Sequence, residues 1–150
     1  YPTDDYVGVR SCVECHVDEM NQWVKTKHSK AYETLQRELI PGTKIPQTEN
    51  PDCLQCHTTA FSPKMFRERR RFLTNGVSCE SCHGAGARHV AYFKLLGLKG
   101  ISESEQRTAR QMNYFVVRKP DESLCLTCHN SVRSPNFEYD QLITEVTHEG

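Results

Sequence analysis

The chain has 150 residues, 19 basic and 19 acidic, with a formal net charge of zero and a mean hydropathy of −0.66. Balanced charge without a sustained basic face excludes a nucleic-acid-binding protein, and no apolar run approaches the length of a transmembrane helix. The length predicts one domain over residues 1–150, but 37% hydrophobic residues is a poor supply for a core, and small chains of this kind generally need an added staple.

In chain order, the first feature is Cys12-Val13-Glu14-Cys15-His16. Residues 18–39 are rich in helix formers, with Met20, Trp23 and Val24 on one apolar face, and predict a helix that breaks near His28. Pro41, Gly42, Pro46 and Pro51 make residues 40–51 a loop. A second copy of the five-residue pattern follows, Cys53-Leu54-Gln55-Cys56-His57, and then a third, Cys79-Glu80-Ser81-Cys82-His83. Residues 87–98 predict a helix. Ser102-Glu103-Ser104-Glu105 has the form of a capping box and opens another helix towards Met112. A short helix over residues 121–130 carries the fourth copy, Cys125-Leu126-Thr127-Cys128-His129. A turn at Ser134-Pro135-Asn136 leads to a last helix over residues 139–147. No strand is expected. The four motifs start at 12, 53, 79 and 125, which is not a regular repeat.

Cys-x-x-Cys-His is the attachment signature of c-type haem. Both thiols form thioethers with the haem vinyl groups, and the adjacent histidine ligates the iron. The sequence therefore predicts four haem c groups, attached at Cys12 and Cys15, Cys53 and Cys56, Cys79 and Cys82, and Cys125 and Cys128. Their proximal ligands are His16, His57, His83 and His129. All eight cysteines are used. Two four-thiolate zinc sites would use the same cysteine pairs, but zinc needs no histidine after each second cysteine. With 7 histidines in 150 residues, four such placements by chance have a frequency of about five in a million. Four large, flat apolar groups supply the missing core, so the expected fold is mostly α: a small single domain of short helices and long loops wrapped round its haems. The haem propionates make the loaded protein acidic. The basic run Arg67-Glu68-Arg69-Arg70-Arg71 reads as a solvated helix face, or more sharply as a partner for propionates or for an acidic protein. Covalent haem attachment takes place outside the cytoplasm, which predicts a removed leader and a periplasmic or extracellular location. Tyr1 in place of a cysteine speaks against an N-terminal lipid anchor.

Three histidines remain for the far sides of four irons: His28, His89 and His148. One haem must go without. His28 lies 12 residues beyond His16, about 18 Å along a helix, so it is carried away from haem 1. His89 follows His83 by six residues on the same side of haem 3. A crossed exchange answers both: His28 on haem 3 and His89 on haem 1. His148, after a turn and a helix that folds back, is expected on its own haem 4. Haem 2, held by His57, is left open. Met20, Met65 and Met112 are alternative sixth ligands, though methionine more often fills packing gaps. The amine of Tyr1 is a further candidate.

Several stretches resemble the cytochrome c-554 family of tetrahaem electron carriers: Tyr6-Val7-Gly8 into the first motif, Trp23 and Lys27-His28-Ser29-Lys30-Ala31-Tyr32, Asn50-Pro51-Asp52 into the second, Gly76-Val77-Ser78 through Gly84-Ala85-Gly86 to His89-Val90, and Ser134-Pro135-Asn136-Phe137 onward to His148. The resemblance implies a mostly helical fold with haems stacked in pairs, 1 with 3 and 2 with 4, the same crossed ligation, and a five-coordinate second haem. Electron relay between redox protein partners is the function expected, without a catalytic residue. One alternative is a subunit that self-associates into a haem-stacked oligomer or conductive filament. Another is reduction of nitric oxide or a related nitrogen oxide at the open haem.

Overall fold

The computed structural model describes residues 5–68, 73–96, 102–112, 116–117 and 119–148. Tyr1, Arg69 to Arg71 and the end of the helix predicted over 87–98 lie outside them, as does the side chain of Met65. The described residues form ten short α-helices: α1 (Val9–Val13), α2 (Val17–Trp23), α3 (Ala31–Arg37), α4 (Pro51–His57), α5 (Pro63–Arg67), α6 (Cys79–His83), α7 (Ala87–Leu95), α8 (Glu103–Gln111), α9 (Glu122–Leu126) and α10 (Tyr139–Leu142). Single 3-10 turns cover His28–Lys30, Gln47–Glu49 and Ile143–Glu145. Among these residues β-structure is limited to two isolated antiparallel bridges, Leu39 to Pro46 and Thr59 to Leu73. The expected mostly α architecture is what the structure has.

Local chemistry sets the helix ends. The α4 helix starts at Pro51, whose missing N–H costs nothing at a first helical position, and the Asn50 side chain accepts from Asp52 N at 3.1 Å. The capping box is formed: Ser102 Oγ accepts from Glu105 N at 3.3 Å and Glu105 Oε2 accepts from Ser102 N at 2.7 Å. Asp121 caps α9 by accepting from Leu124 N. The segment 18–39 forms two helices, α2 and α3, with the expected break near His28. Between them Thr26 Oγ1 donates to Trp23 O at 2.8 Å, and Ser29 Oγ donates to Val24 O and Thr26 O. Such hydroxyl-to-carbonyl bonds offer the backbone an alternative to the helical ladder, and they place His28 on a tight turn rather than a helix face. Likewise the last predicted helix is one turn of α10 followed by a 3-10 turn, with Thr147 Oγ1 donating to Ile143 O.

Protein alone buries little. Val9, Leu35, Leu54 and Ala109 are the buried apolar side chains among the described residues. The chain exposes 10685 Å², whereas a compact chain of this mass exposes roughly 7,800 Å². Large apolar side chains beside the motifs stay open: Val17 after His16, and Leu124 and Leu126 on either side of Cys125. Polar contacts do much of the positioning. Trp23 Nε1 donates to Val77 O at 2.9 Å, docking α2 on the run before α6. Thr59 Oγ1, 1% exposed, lies 2.9 Å from Gly76 O and Ser78 Oγ and 2.7 Å from Ser81 Oγ, and accepts from Ser78 N. That hydroxyl node ties the end of α4 to α6.

Two outcomes are expected. The haem-free chain, followed by circular dichroism on heating, should show no cooperative transition, because so little apolar surface is closed by protein. In the loaded protein Leu54→Ala should cost about 3 kcal/mol, read as a lower denaturation midpoint.

Candidate haem sites

Each motif sits on or beside a short helix. The second occupies the last five residues of α4 and the third is the whole of α6, so both of these helices end at the motif histidine. The first begins in α1 and places His16 as N-cap of α2, and the fourth begins in α9 and ends beyond it. A helical turn brings the two cysteines of each pattern to one side, which is what attachment to two positions of one flat ring requires.

The proximal imidazoles are held by Nδ1. His57 Nδ1 donates to Ala31 O at 2.7 Å, with Thr34 Oγ1 at 3.2 Å. His83 Nδ1 donates to Val117 O at 2.5 Å. His129 Nδ1 is 3.1 Å from Ser134 Oγ, and His16 Nδ1 is 3.6 Å from Glu19 Oε1. A carbonyl can only accept, so in His57 and His83 the proton is on Nδ1 and Nε2 is left as the lone-pair donor. This is the outer-shell arrangement that orients metal-binding histidine.

The three remaining histidines each face one proximal ring. His89 lies 6.2 Å from His16, centroid to centroid, with the planes 24° apart. His28 lies 5.9 Å from His129, and His148 lies 5.7 Å from His83. Two imidazoles on opposite sides of one metal, with bonds of about 2.0 Å, have centroids about 6 Å apart. The residues present therefore fit a metal held between each pair. Burial, joined by the nearby His129, pushes the His28 imidazole down from its ordinary value, and burial does the same to His129. Both are thus favoured in the neutral form that binds metal.

Two of the ring pairs differ from the pairings expected from the sequence. His28 was expected across haem 3 but faces His129 of the fourth motif. His148 was expected across haem 4 but faces His83 of the third. The stapled turn at 24–30 holds His28 off a helix face. The pairing of His89 with His16 has the expected geometry, and with the three spare rings so placed none faces His57. Of the methionines, Met20 is half-buried and Met112 is exposed.

The cysteines meet across motifs. In the unattached chain the hydrogen bond between the Cys12 and Cys79 thiols raises Cys12 above the ordinary thiol range and lowers Cys79 to about 7. Burial and a hydrogen bond with Cys128 raise Cys56 to about 12. Burial, followed by the charge of Cys125, raises Cys82 to about 11. Motif 1 thus abuts motif 3, motif 2 abuts motif 4, and motif 3 lies close to motif 4. Among the described residues, which include all eight cysteines, no group of three or more His, Cys, Asp or Glu converges as a metal cage. The two four-thiolate zinc sites have no counterpart in this arrangement.

One residue escaped the sequence reading. Glu80, a variable position of the third motif, is 4% exposed. Its Oε1 accepts from Val7 N at 3.0 Å and Gly86 N at 2.8 Å, and its Oε2 accepts from Gly8 N at 2.8 Å. Gly8 is the N-cap of α1 and Gly86 that of α7, the helix carrying His89. One carboxylate therefore joins α1, α6 and α7, and Lys94 Nζ to Glu14 Oε2 at 2.8 Å adds a second link from α7 to motif 1. An acidic residue within a Cys-x-x-Cys is the only sequence signal that could have pointed to it.

The family model for cytochrome c554 and c-prime matches residues 11–84, a stretch that includes the first three motifs. Cytochrome c-554 of Nitrosomonas europaea is 28% identical over 175 aligned positions, covering 94% of this chain and 73% of that protein. The C-type polyheme cytochrome OmcC of Geobacter sulfurreducens is 35% identical over 97 positions, covering 57% of this chain and 11% of OmcC. No solved structure matches the chain. Motif, helical wrapper and relatives together define a multihaem c-type cytochrome of electron transport. Within that class the chain is most readily compared with the cytochrome c-554 family, to which it is similar over most of its length.

Gly76 offers a test of the geometry around His28. It has φ +76°, and a Cβ there would overlap His28 O and press on Ser29 O at 3.0 Å. Gly42 has φ +78° with nothing within 4 Å. Gly42→Ala should cost about 1 kcal/mol, the left-handed penalty alone, whereas Gly76→Ala should cost about 2 kcal/mol more through the clash. Denaturant titration of the two loaded variants checks the difference.

Proposed function

We propose that the chain is a tetrahaem electron relay working between periplasmic or extracellular redox proteins. Haem 1 is attached at Cys12 and Cys15 with axial ligands His16 and His89. Haem 2 is attached at Cys53 and Cys56 with His57 alone. Haem 3 is attached at Cys79 and Cys82 with His83 and His148, and haem 4 at Cys125 and Cys128 with His129 and His28. The observation that carries this reading is the trio of imidazole pairs at 5.7–6.2 Å beside one unpaired motif histidine. When bound, each haem supplies an iron that takes up and gives up one electron.

The protein's part is placement. Cysteine contacts between motifs 1 and 3, 3 and 4, and 4 and 2 support an order 1–3–4–2 for the relay. Backbone carbonyls at Ala31 and Val117 fix the orientation of His57 and His83, and differences in burial and ligation grade the potentials. No helix among the described residues is long and apolar enough to cross a membrane. The lone imidazole of His57 favours a second reading, in which a small ligand such as nitric oxide binds the open iron at the end of the relay.

Electron paramagnetic resonance of the oxidised protein is expected to show one high-spin iron and three low-spin irons, with a mass increase of four haems over the polypeptide. His28→Ala and His148→Ala should each convert one further iron to high spin, and Gly76→Ala should do so in part through the His28 segment. Four low-spin irons in the native protein would leave a plain relay and remove the ligand-binding reading.

A further inference from the structure

The carboxylate of Glu80 has no place in attachment or ligation, yet it is the buried acid among the described residues. Three backbone N–H groups converge on it and none of its contacts is an acceptor. Each of these contacts is a backbone donor to a carboxylate oxygen, the stronger kind of hydrogen bond. Among the described residues it has no salt-bridge partner, so its charge is solvated by amide dipoles rather than cancelled by a cation. It also lies in the first turn of α6, where the helix end favours negative charge.

We infer that Glu80 sets the reduction potentials of the two haems on either side of it, those of motifs 1 and 3, as well as clamping their helices together. Placement carries the inference. Glu80 sits between the two cysteines of motif 3 and is bonded to Val7 and to Gly8, the N-cap of α1, five and four residues before Cys12. The third donor, Gly86, opens the helix bearing His89. A fixed anion inside a poorly solvated site acts at this range far more strongly than it does in water. Reduction adds one electron to an iron, Fe(III) to Fe(II), delivered by the donor protein. A neighbouring negative charge opposes that gain and lowers the potential.

Groups on the motif 1 side lie close enough to Glu80 for its charge to act on them. Burial and then the Glu80 charge raise the Tyr6 hydroxyl. The Glu80 charge also adds, behind the thiol–thiol hydrogen bond, burial and the charge of Cys79, to the raised state of Cys12. Cys12 is an attachment point of haem 1, so the field reaches the place where that haem is bound.

This inference rests on the tetrahaem reading, and the experiment separates the two. Mass measurement and spectroelectrochemical titration are run on native protein and on Glu80→Gln and Glu80→Asp, all haem-loaded. Native protein without four haems overturns the tetrahaem reading itself. Given four haems, Glu80→Gln should raise two of the four midpoint potentials and leave the other two within error. Glu80→Asp keeps the charge on a shorter stem, so it should melt earlier while all four potentials hold. Unchanged potentials in a loaded Glu80→Gln would reduce Glu80 to a clamp. If Glu80→Gln does not load, Glu80→Asn serves as the neutral variant: two raised potentials there beside unchanged ones in Glu80→Asp uphold the charge effect, and unchanged potentials in both overturn it. Gly86→Ala, whose Cβ would press on Oε1 at 3.2 Å, is the packing control and should lower the melting temperature without the two-potential signature.

Discussion

Imidazole rings held about 6 Å apart are the constraint on which this architecture depends. Rings at that separation leave between them the room that a metal bound to both would take, and this small chain holds three such pairs. The helices are short because each needs only to present two sulfurs and a nitrogen, or a single opposing nitrogen, at a set distance. Loops then take the chain from one ring to the next. The sparse protein core and the large exposed area follow from the same constraint, since space that would hold leucines is kept for flat cofactors.

Between the gaps, rigidity comes from polar contacts rather than apolar bulk. The Thr59 hydroxyl binds α4 to α6, Trp23 binds α2 to the approach to α6, and Glu80 binds α6 to α1 and α7. All of these converge on the third motif. Each bond is modest alone, though those to a carboxylate are stronger than neutral ones. Together they make α6 the fixed point about which the other motifs are arranged.

The sequence was most legible where local chemistry decides. The capping box at Ser102, the helix stop before the proline-rich loop and the break near His28 all follow from side chains acting on their own backbone. Four cysteine pairs with adjacent histidines identified the cofactor class, and the histidine count left one motif unpaired before any distance was known. Partner choice was not legible. Sequence separation says how far His28 and His148 lie from a motif along the chain, but not which motif the fold returns them to. Glu80 was hidden for a related reason. At a position that the motif leaves free, acidic character reads as surface, and only the convergence of Val7, Gly8 and Gly86 reveals it as interior.

The meeting of Cys12 with Cys79, and of Cys56 with Cys128, bears on how such a chain is assembled. The closeness that brings motifs together in the finished protein also sets thiols of different motifs within reach of each other, and an oxidising compartment would join them. A chain that closed before its cofactors arrived would be sealed by the wrong covalent bond. In such a compartment, loading ahead of collapse would keep those sulfurs for their own motifs.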